Sequence, residues 1–375
     1  MAPWLVIFAV LATQTPGNPA ACRPLWETDL VRQYDFNNFG KSSHLKRAPA
    51  VWETQEGTVF ISPDLLAVYQ ASSEPDTPLR SRDQTGGAGR FALQLRFLRV
   101  RDGKEVKALH LPTDSEYSSV LPTHDGKFLI RTGDIVRLYS PGFEEVASKN
   151  LPLSHVFQHE SWRLQVSPSG RNVYLEHAEM SRSESKSEGS LLDADTLRTT
   201  ATFDTRGESL KIAGDSLLLG IKDYGTVVGE FKISAGWRPL FQVDLPGDAS
   251  CGFGTTFLRT NDPILATFGC NTLRLLSLEG KQLSTASVDK HEEFVSAVGA
   301  GSLVAAEVHY HRSDPFDLGI SSKPVRIAVY DSTTKSEKCY IPITEPVSTW
   351  SSLYGVSSVG GVAVIQGGVL RFYQP

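Results

Sequence analysis

The sequence predicts an all-β fold built from repeated four-stranded antiparallel sheets. Three observations predict it: the composition, a series of alternating strand pairs, and the regular spacing of those pairs. Gly and Pro are frequent, with 31 and 21 among 375 residues, as is typical of many short strands joined by turns. Apolar residues make up 40% of the chain, which is enough for a sizeable core.

Six segments share one pattern, in which an alternating strand, a short turn with Gly, Asp or Ser, and a second strand follow each other. The pairs Asp102-Gly103 and Glu279-Gly280 suit tight turns, because Gly accepts a positive φ at no steric cost. The six segments are Leu95–Pro112, Val136–Pro152, Ser190–Asp204, Val228–Pro246, Leu273–Val288 and Val325–Ile343. Val369–Tyr373 (VLRFY) has the pattern of the first strand of a seventh.

A second hairpin precedes most of these segments. Its second strand is apolar at nearly every position, which indicates burial on both faces. These hairpins are Val59–Ser72, Ser118–Gly133, Trp162–Ala178, Ser209–Lys222, Thr255–Gly269, Phe294–Tyr310 and Trp350–Gly367. The unit is therefore four antiparallel strands, and it occurs seven times.

Equivalent turns recur at intervals of 39 to 53 residues, for example from Gly103 to Gly142 and from Gly142 to Asp195. This spacing centres on the roughly 40–50 residues of a β-propeller blade. The longer intervals contain insertions around Met180–Gly189 and Arg312–Pro324. The sequence thus predicts a seven-bladed β-propeller.

Several first-to-second strand turns carry a further signal: SPD-x-L-A-V from Ser62, THDGKFLI from Thr123 and SPSGRNVYL from Ser167. These turns resemble the WD40-like repeats of bacterial propellers of the YVTN and TolB type. The resemblance covers nearly the whole mature chain as a pattern, and it implies a fold without selecting a biochemical function. The alternative fold is a pair of β-sandwich domains, which would require a polar linker near the middle of the chain. The repeat instead runs through Arg163–Asp244 without a break, which favours the propeller.

The last repeat contains only three strands. The segment Arg23–Phe36 has the pattern of the missing fourth strand, and we expect it to pair with Val369–Tyr373 and close the ring. The predicted domains are a signal peptide at 1–21 and a single propeller at 22–375. The predicted blades are approximately 50–112, 113–152, 153–204, 205–245, 246–288, 289–345, and 346–375 with the closing strand 23–36.

The N-terminus predicts export to the periplasm or the extracellular space. Trp4–Ala12 is an apolar run of nine residues, too short to span a bilayer and suited to a signal peptide. The alternative is a buried strand at the start of a cytosolic chain. Pro19–Cys22 (PAAC) resembles a lipobox, but it lacks a Leu-like residue three positions before the Cys, so lipid anchoring at Cys22 is the weaker alternative.

The four cysteines allow three pairings. Cys251 and Cys270 flank one predicted hairpin whose midpoint lies near Asn261, so we expect them to form a disulfide. The alternative is two reduced, partly buried thiols. Cys22 and Cys339 are a second, weaker candidate pair, across the closing seam.

Histidines cluster in the predicted loops that share one face of the ring. These loops follow the fourth strands or join the second strands to the third, and they or their edges contain His155, His159, His291, His309 and His311. In a strand, His309 and His311 would share a side and could bind a metal with Asp314 or Asp317. Two exposed, unpaired imidazoles are the favoured interpretation, so no metal site and no cofactor are predicted.

The first functional prediction is an exported, non-enzymatic binding or scaffold protein that presents one loop face to a protein or glycan. The competing prediction is a secreted propeller enzyme, a hydrolase, lactonase or lyase, with His and carboxylates at the central channel. A formal charge of −5 without a basic tract argues against nucleic acid as a partner. Apart from the N-terminal run Trp4–Ala12, no segment is apolar enough for a transmembrane span to be predicted. We also expect the protein to be a monomer.

Overall fold

The computed structural model describes residues 19–34, 36, 56–73, 91–113, 118–151, 159–180, 185–206, 210–215, 217–222, 227–243, 253–260, 264–310, 323–333, 336–343 and 354–375. Within these ranges the chain forms 28 strands. One short α-helix, α1 (Leu30–Tyr34), follows the first strand, and a 3-10 turn lies at His124–Gly126.

The strands are short, and most are separated by tight turns. In chain order they are β1 (Pro24–Asp29), β2 (Glu56–Ser62), β3 (Leu65–Ser73), β4 (Phe91–Arg99), β5 (Glu105–Thr113), β6 (Ser118–Pro122), β7 (Phe128–Thr132), β8 (Ile135–Tyr139), β9 (Glu145–Asn150), β10 (His159–Val166), β11 (Asn172–Met180), β12 (Ser185–Asp193), β13 (Thr199–Asp204), β14 (Leu210–Ile212), β15 (Leu218–Lys222), β16 (Val227–Lys232), β17 (Gly236–Gln242), β18 (Phe253–Thr260), β19 (Ile264–Gly269), β20 (Thr272–Leu276), β21 (Gln282–Ser287), β22 (Glu292–Gly301), β23 (Leu303–Tyr310), β24 (Lys323–Asp331), β25 (Glu337–Pro342), β26 (Tyr354–Val356), β27 (Val362–Gln366) and β28 (Val369–Tyr373).

The described strands form antiparallel meanders of four. Four of them are the sheets β2–β5, β6–β9, β10–β13 and β14–β17, and a fifth is β26–β28 completed by β1. The other eight strands form one sheet, in which the meanders β18–β21 and β22–β25 meet edge to edge through a parallel pairing of Arg259–Thr260 with Ala300–Gly301. If the eight-stranded sheet is divided at this parallel pairing, it gives two four-stranded meanders of the predicted kind. The count of seven blades stays a prediction, which this division supports.

Burial follows the order of the strands within each meander. The second strands β7, β19 and β27 are buried at every residue, as their apolar sequences predict. The fourth strands β9 and β21 are largely exposed. The first strands lie next to one another, since β2 contacts both β6 and β26 and β22 contacts β26. This is the radial arrangement of a propeller, with first strands at the centre and fourth strands outside.

The turns show why glycine was a useful signal. Gly103 and Gly280 have φ angles of 68° and 81°, in the left-handed region where a side chain is disfavoured. The β8–β9 turn differs from expectation, because its left-handed residue is Phe143, with φ 65°, rather than Gly142. The Phe143 ring packs on Phe97 with centroids 4.8 Å apart.

The predicted closure of the sheet by the N-terminal segment is confirmed. β1 pairs antiparallel with β28, from Pro24 opposite Tyr373 to Asp29 opposite Val369. The strand is shorter than the predicted Arg23–Phe36, because Leu30–Tyr34 turns into α1. Asp29 Oδ1 accepts a hydrogen bond from the Arg32 amide at 2.9 Å, which is how a side chain stabilises the start of a helix.

The same N-terminal segment also joins the sheets on either side of β28. Cys22 forms a disulfide with Cys339 of β25, and the Cys22 amide donates to the Tyr340 carbonyl at 2.7 Å. In the other direction, the Trp26 indole donates to the Val100 carbonyl at 2.6 Å. Residues 20–26 therefore contact three consecutive sheets.

One insertion differs from its prediction as a loop. β11 continues to Met180, and β12 begins at Ser185, directly opposite it. Most of the predicted Met180–Gly189 insertion is thus a longer arm of the same hairpin, because backbone pairing requires no particular side chain at these positions. The segment Arg312–Pro324 lies almost wholly outside the described residues.

Three sequence predictions reach beyond the described residues and stay predictions. They are the signal peptide at 1–21, the division of the chain at residue 22, and the Cys251–Cys270 disulfide. Cys270 is disulfide-bonded, whereas Cys251 is not among the described residues. The weaker candidate, Cys22–Cys339, is present.

Candidate functional site

The hairpins of first and second strands define two ends of the ring. We call the end that carries their turns, such as residues 63–64, 123–127 and 167–171, the turn end. The opposite end, where β11 stops at Met180, β22 begins at Glu292 and β23 stops at Tyr310, is the loop end.

The described histidines of the predicted set lie at the loop end. His291 directly precedes β22, and His309 lies opposite Glu293 near the end of β23. His159 begins β10 opposite Met180, which is the equivalent position of another hairpin. His155 and His311 are outside the described residues, so a five-histidine binding face stays a prediction.

His309 is buried and paired, which differs from the favoured interpretation of an exposed, unpaired imidazole. It is 6% exposed, and its Nε2 lies 2.9 Å from Glu307 Oε1. The other oxygen of Glu307 accepts a hydrogen bond from Ser296 Oγ at 3.1 Å. Ser296 Oγ also lies 3.1 Å from the Tyr354 hydroxyl on the next sheet, so the four side chains form one chain of hydrogen bonds.

The order of these four hydrogen-bonded side chains determines whether they could activate a nucleophile. A serine nucleophile is activated by an imidazole that contacts its hydroxyl, while a carboxylate orients the far side of the imidazole. Here the carboxylate of Glu307 lies between Ser296 and His309. The contacts satisfy buried polar groups and connect β22, β23 and β26, and they do not form a nucleophile–base pair.

A second ion pair orders the backbone at the loop end. The Arg326 guanidinium donates both to Glu292 Oε1 and, at 2.7 Å, to Glu292 Oε2. The latter oxygen also accepts a hydrogen bond from the Asp289 amide at 3.2 Å. Glu292 therefore holds the turn that leads into β22, and this turn carries His291.

His291 and Tyr310 form an exposed aromatic pair beside that turn. Their ring centroids are 6.2 Å apart, and the Tyr310 side chain is 47% exposed. Tyr310 is held in register at the end of β23, opposite Glu292 and Lys323. An exposed tyrosine on a fixed backbone has little conformational entropy to lose on binding, which suits a contact surface.

The turn end contains a feature that the sequence analysis missed. A cavity of about 540 Å³ opens there between the first strands β2, β6, β18, β22 and β26 and the turn 167–170 that follows β10. Its wall is mostly apolar, and Arg259 of β18 is the only cation among its described lining residues. The signal in the sequence is an Arg in a first strand, Phe253–Thr260, that otherwise contains no charge.

Two further cations lie close to Arg259, on the neighbouring first strands. Arg163 of β10 lies 3.4 Å from Glu176, with 11% of its side chain exposed. Lys211 of β14 has its pKa lowered to about 8, first by burial and then by the charge of Arg163, with Glu176 raising it and Arg259 lowering it again. Arg163 and Lys211 thus both interact with Glu176, and Lys211 also lies near Arg259.

Glu176 is tied to the strand β14 by several contacts. It accepts hydrogen bonds from the Leu210 backbone and from the Tyr174 hydroxyl, the latter at 3.3 Å. Burial raises the pKa of the Glu176 carboxyl, while Arg163 lowers it. This carboxylate is thus engaged in holding β14 and is not free to neutralise Arg259.

Two further observations concern the requirements of a metal site and of a membrane-spanning helix. Among the described ranges, no group of three His, Cys, Asp or Glu residues is placed to hold a metal ion. Within the same ranges, no helix has the length and hydropathy needed to cross a bilayer.

Comparison with known proteins identifies the fold. No protein-family model and no curated protein matches the sequence. The WD40 domain of Pan2 from Neurospora crassa superposes with a TM-score of 0.52 and 10% identity, covering 95% of this chain and 98% of that domain. An uncharacterized protein from Listeria monocytogenes has a TM-score of 0.49 and 13% identity, with 86% and 94% covered.

A third similar structure is an oligogalacturonate lyase from Vibrio parahaemolyticus, with a TM-score of 0.48 and 9% identity, covering 86% of this chain and 98% of the lyase. At these identities, only the architecture is informative. The four-stranded antiparallel meanders and the likeness to the Pan2 domain agree. The chain has the fold of a WD40-like β-propeller.

Proposed function

We propose that the protein is an exported, non-enzymatic binding propeller that presents its loop end to a protein or glycan partner. The observation that carries the proposal is the exposed pair His291–Tyr310, with ring centroids 6.2 Å apart. Tyrosine and histidine rings offer both an apolar face and a polar group, which is what sugar rings and protein surfaces require of a contact.

The surroundings of this pair favour binding over turnover. Glu292 and Arg326 hold the turn before β22, and Glu307 engages both Ser296 and His309. Polar groups that satisfy one another in the ground state provide a rigid frame. They leave no nucleophile–base contact among these side chains on which a hydrolytic mechanism would depend.

The disulfide between Cys22 and Cys339 supports export, because disulfides persist in oxidising compartments. It also bears on the lipid anchor considered for Cys22. A lipoprotein cysteine carries its diacylglycerol on the same sulfur atom that here bonds to Cys339, so one thiol cannot do both. The proposal is therefore an exported protein without a lipid at Cys22.

The test places a photo-crosslinking amino acid at position 310 or, as a control, at position 359. Val359 is also exposed, at 58%, but lies in the β26–β27 turn at the turn end. The crosslinked partner is identified from the exported fraction, and a glycan array is probed in parallel. We expect adducts or array binding that depend on position 310 and do not involve position 359.

The affinity for the identified partner is then measured for Tyr310→Ala and Val359→Ala. Loss of a central aromatic contact costs about 2 kcal/mol, or roughly thirtyfold in Kd, whereas Val359→Ala should change little. Equal effects of the two variants would contradict the use of the loop end. Turnover of an array ligand that is abolished by His309→Gln would instead support the propeller enzyme.

A further inference from the structure

The backbone of Arg259 is held by two sheets. β18 pairs antiparallel with β19 through Leu258, and Arg259 itself pairs in parallel with Ala300 of β22. The side chain lines the cavity at the turn end and is open to its solvent. Burial between the neighbouring strands lowers the pKa of the guanidinium, although arginine remains protonated at neutral pH.

The contacts of Arg259 leave most of its donors unused. One nitrogen, Nη2, donates to the Val166 carbonyl at 2.8 Å. A guanidinium has five N–H donors in a planar fork, and no carboxylate among the described residues pairs with this one. The acidic residue that also lines the cavity, Asp125, lies on the exposed turn, where its carboxylate is 2.8 Å from His124 Nδ1.

The neighbouring charges add to the positive potential at this point. Arg163 and Lys211 lie on the first strands β10 and β14, and Arg259 itself contributes to the lowered pKa of Lys211. Glu176 is the carboxylate within this group, and it is held by Arg163, Tyr174 and the β14 backbone. An anion that enters the cavity would therefore be attracted to the Arg259 guanidinium.

The rest of the cavity wall determines what kind of anion fits. The lining includes Val59, Ile61, Val298 and Val356, of which Ile61 and Val356 are themselves packed into the core. Val298 is 40% exposed, which is unusual for a valine in a central strand. A ligand with an apolar body would cover this surface, while its charged group would reach the guanidinium.

We infer that Arg259 is the anchor of a binding site for a small organic carboxylate, with the carboxylate on the guanidinium and the apolar body against Val298. A carboxylate matches the planar fork of Arg in a bidentate contact. A cavity of about 540 Å³ has the size of small-molecule sites, which are mostly apolar with few placed polar groups. The site is separate from the proposed contact surface at the loop end.

The experiment measures binding of sodium hexanoate to the disulfide-bonded chain by isothermal titration calorimetry. Acetate provides the carboxylate alone, hexanol the apolar body alone, and inorganic phosphate a different oxyanion, all at one ionic strength. We expect hexanoate to bind more tightly than acetate or phosphate, and hexanol not to bind measurably.

Two variants and a control assign the site. Arg259→Gln should weaken hexanoate binding by about tenfold or more, the usual effect of losing one charge-assisted hydrogen bond. Val298→Ser should weaken the binding of hexanoate and leave that of acetate unchanged. The control Arg238→Gln removes an equal charge from an arginine that is 61% exposed and paired with Glu230, and it should change neither.

Three outcomes would overturn the inference. The first is absence of hexanoate binding to the unaltered chain. The second is unchanged binding in Arg259→Gln or, if that variant fails to fold, in Arg259→Lys, which keeps the charge but not the planar fork. The third is phosphate binding as tight as hexanoate binding and insensitive to Val298→Ser, which would make the ligand an inorganic anion.

Discussion

The polar side chains of the β22–β25 meander and those around β14 differ in how their charges are balanced. In the first group, Glu292 pairs with Arg326 and Glu307 lies beside His309. In the second group, Arg163 and Lys211 interact with the carboxylate of Glu176, whereas Arg259 donates to the Val166 carbonyl and lies close enough to Lys211 to lower its pKa.

This difference in charge balance indicates a structural role for the first group and a binding role for the second. In the first group, Glu292 on β22 pairs with Arg326 on β24, and Glu307 pairs with His309 on the same strand and with Ser296 on β22. In the second group, the Arg259 guanidinium faces a cavity and has no carboxylate partner among the described residues. We therefore assign the first group to the framework and the second to a site.

The largest loss of stability is expected for Glu176→Gln, which removes a buried negative charge. This change removes the carboxylate with which Arg163 and Lys211 interact, and loss of one partner from a buried pair costs about 3–5 kcal/mol. Urea unfolding measures the change in the free energy of unfolding. The control is Glu230→Gln, which breaks a largely exposed pair with Arg238 and should cost at most about 1 kcal/mol. Similar losses in both variants would contradict the role given to Glu176.

A smaller effect, with a distinct pH dependence, is expected for Lys211→Met. The pKa of Lys211 is lowered from 10.5 to about 8, so between these pH values the unfolded chain binds a proton that the folded chain does not. The stability of the unaltered protein should then rise with pH relative to the variant. Lys211→Met should be more stable by up to about 3 kcal/mol near pH 7, with the gap closing by pH 10.5.

Unfolding of both proteins at pH 7, 8.5 and 10 tests this prediction. Lys107→Met provides the control, because Lys107 is an exposed lysine on β5 and its replacement should give no such pH dependence. A constant difference between Lys211→Met and the unaltered protein across the range would show that Lys211 keeps an ordinary pKa.

The smallest effect is expected in the balanced group, for Ser296→Ala. The variant loses a hydrogen bond to Glu307 at 3.1 Å and another to Tyr354, while His309 remains to pair with the carboxylate. We expect a loss of about 1–2 kcal/mol in unfolding free energy. Ser287→Ala, at an exposed position of β21, should be neutral. A loss larger than that of Glu176→Gln would reverse the comparison of the two groups.

Most of the fold was predictable because strands and turns are local features. The alternation of apolar residues predicted the hairpins, and glycines such as Gly103 and Gly280 marked turns that need a positive φ. The pairing of Pro24–Asp29 with Val369–Tyr373 was also predictable, since a three-stranded last repeat needs a fourth strand. The helix at Leu30–Tyr34 was not predictable, because five residues are little more than one helical turn and cannot show a helical period.

The candidate sites were less predictable because they depend on distances between sheets. Arg163, Lys211 and Arg259 belong to three different meanders, and nothing in their local sequences indicates that they lie close together. His309 shows the opposite error. Its place in a loop-end strand was predicted from the pattern, but its burial against Glu307 depends on packing that a single strand does not reveal.

Closure of the ring by β1 also determines when the protein becomes stable during synthesis. Glu27 and Arg371, which form an ion pair across the closing strands, are 344 positions apart. At about 5–20 residues per second, β28 is completed roughly 20 to 70 seconds after β1. Throughout that interval the edge of β1 and the thiol of Cys22 have no partner. We therefore expect the nascent chain to depend on protection from premature oxidation and edge-to-edge association until its last strand has been made.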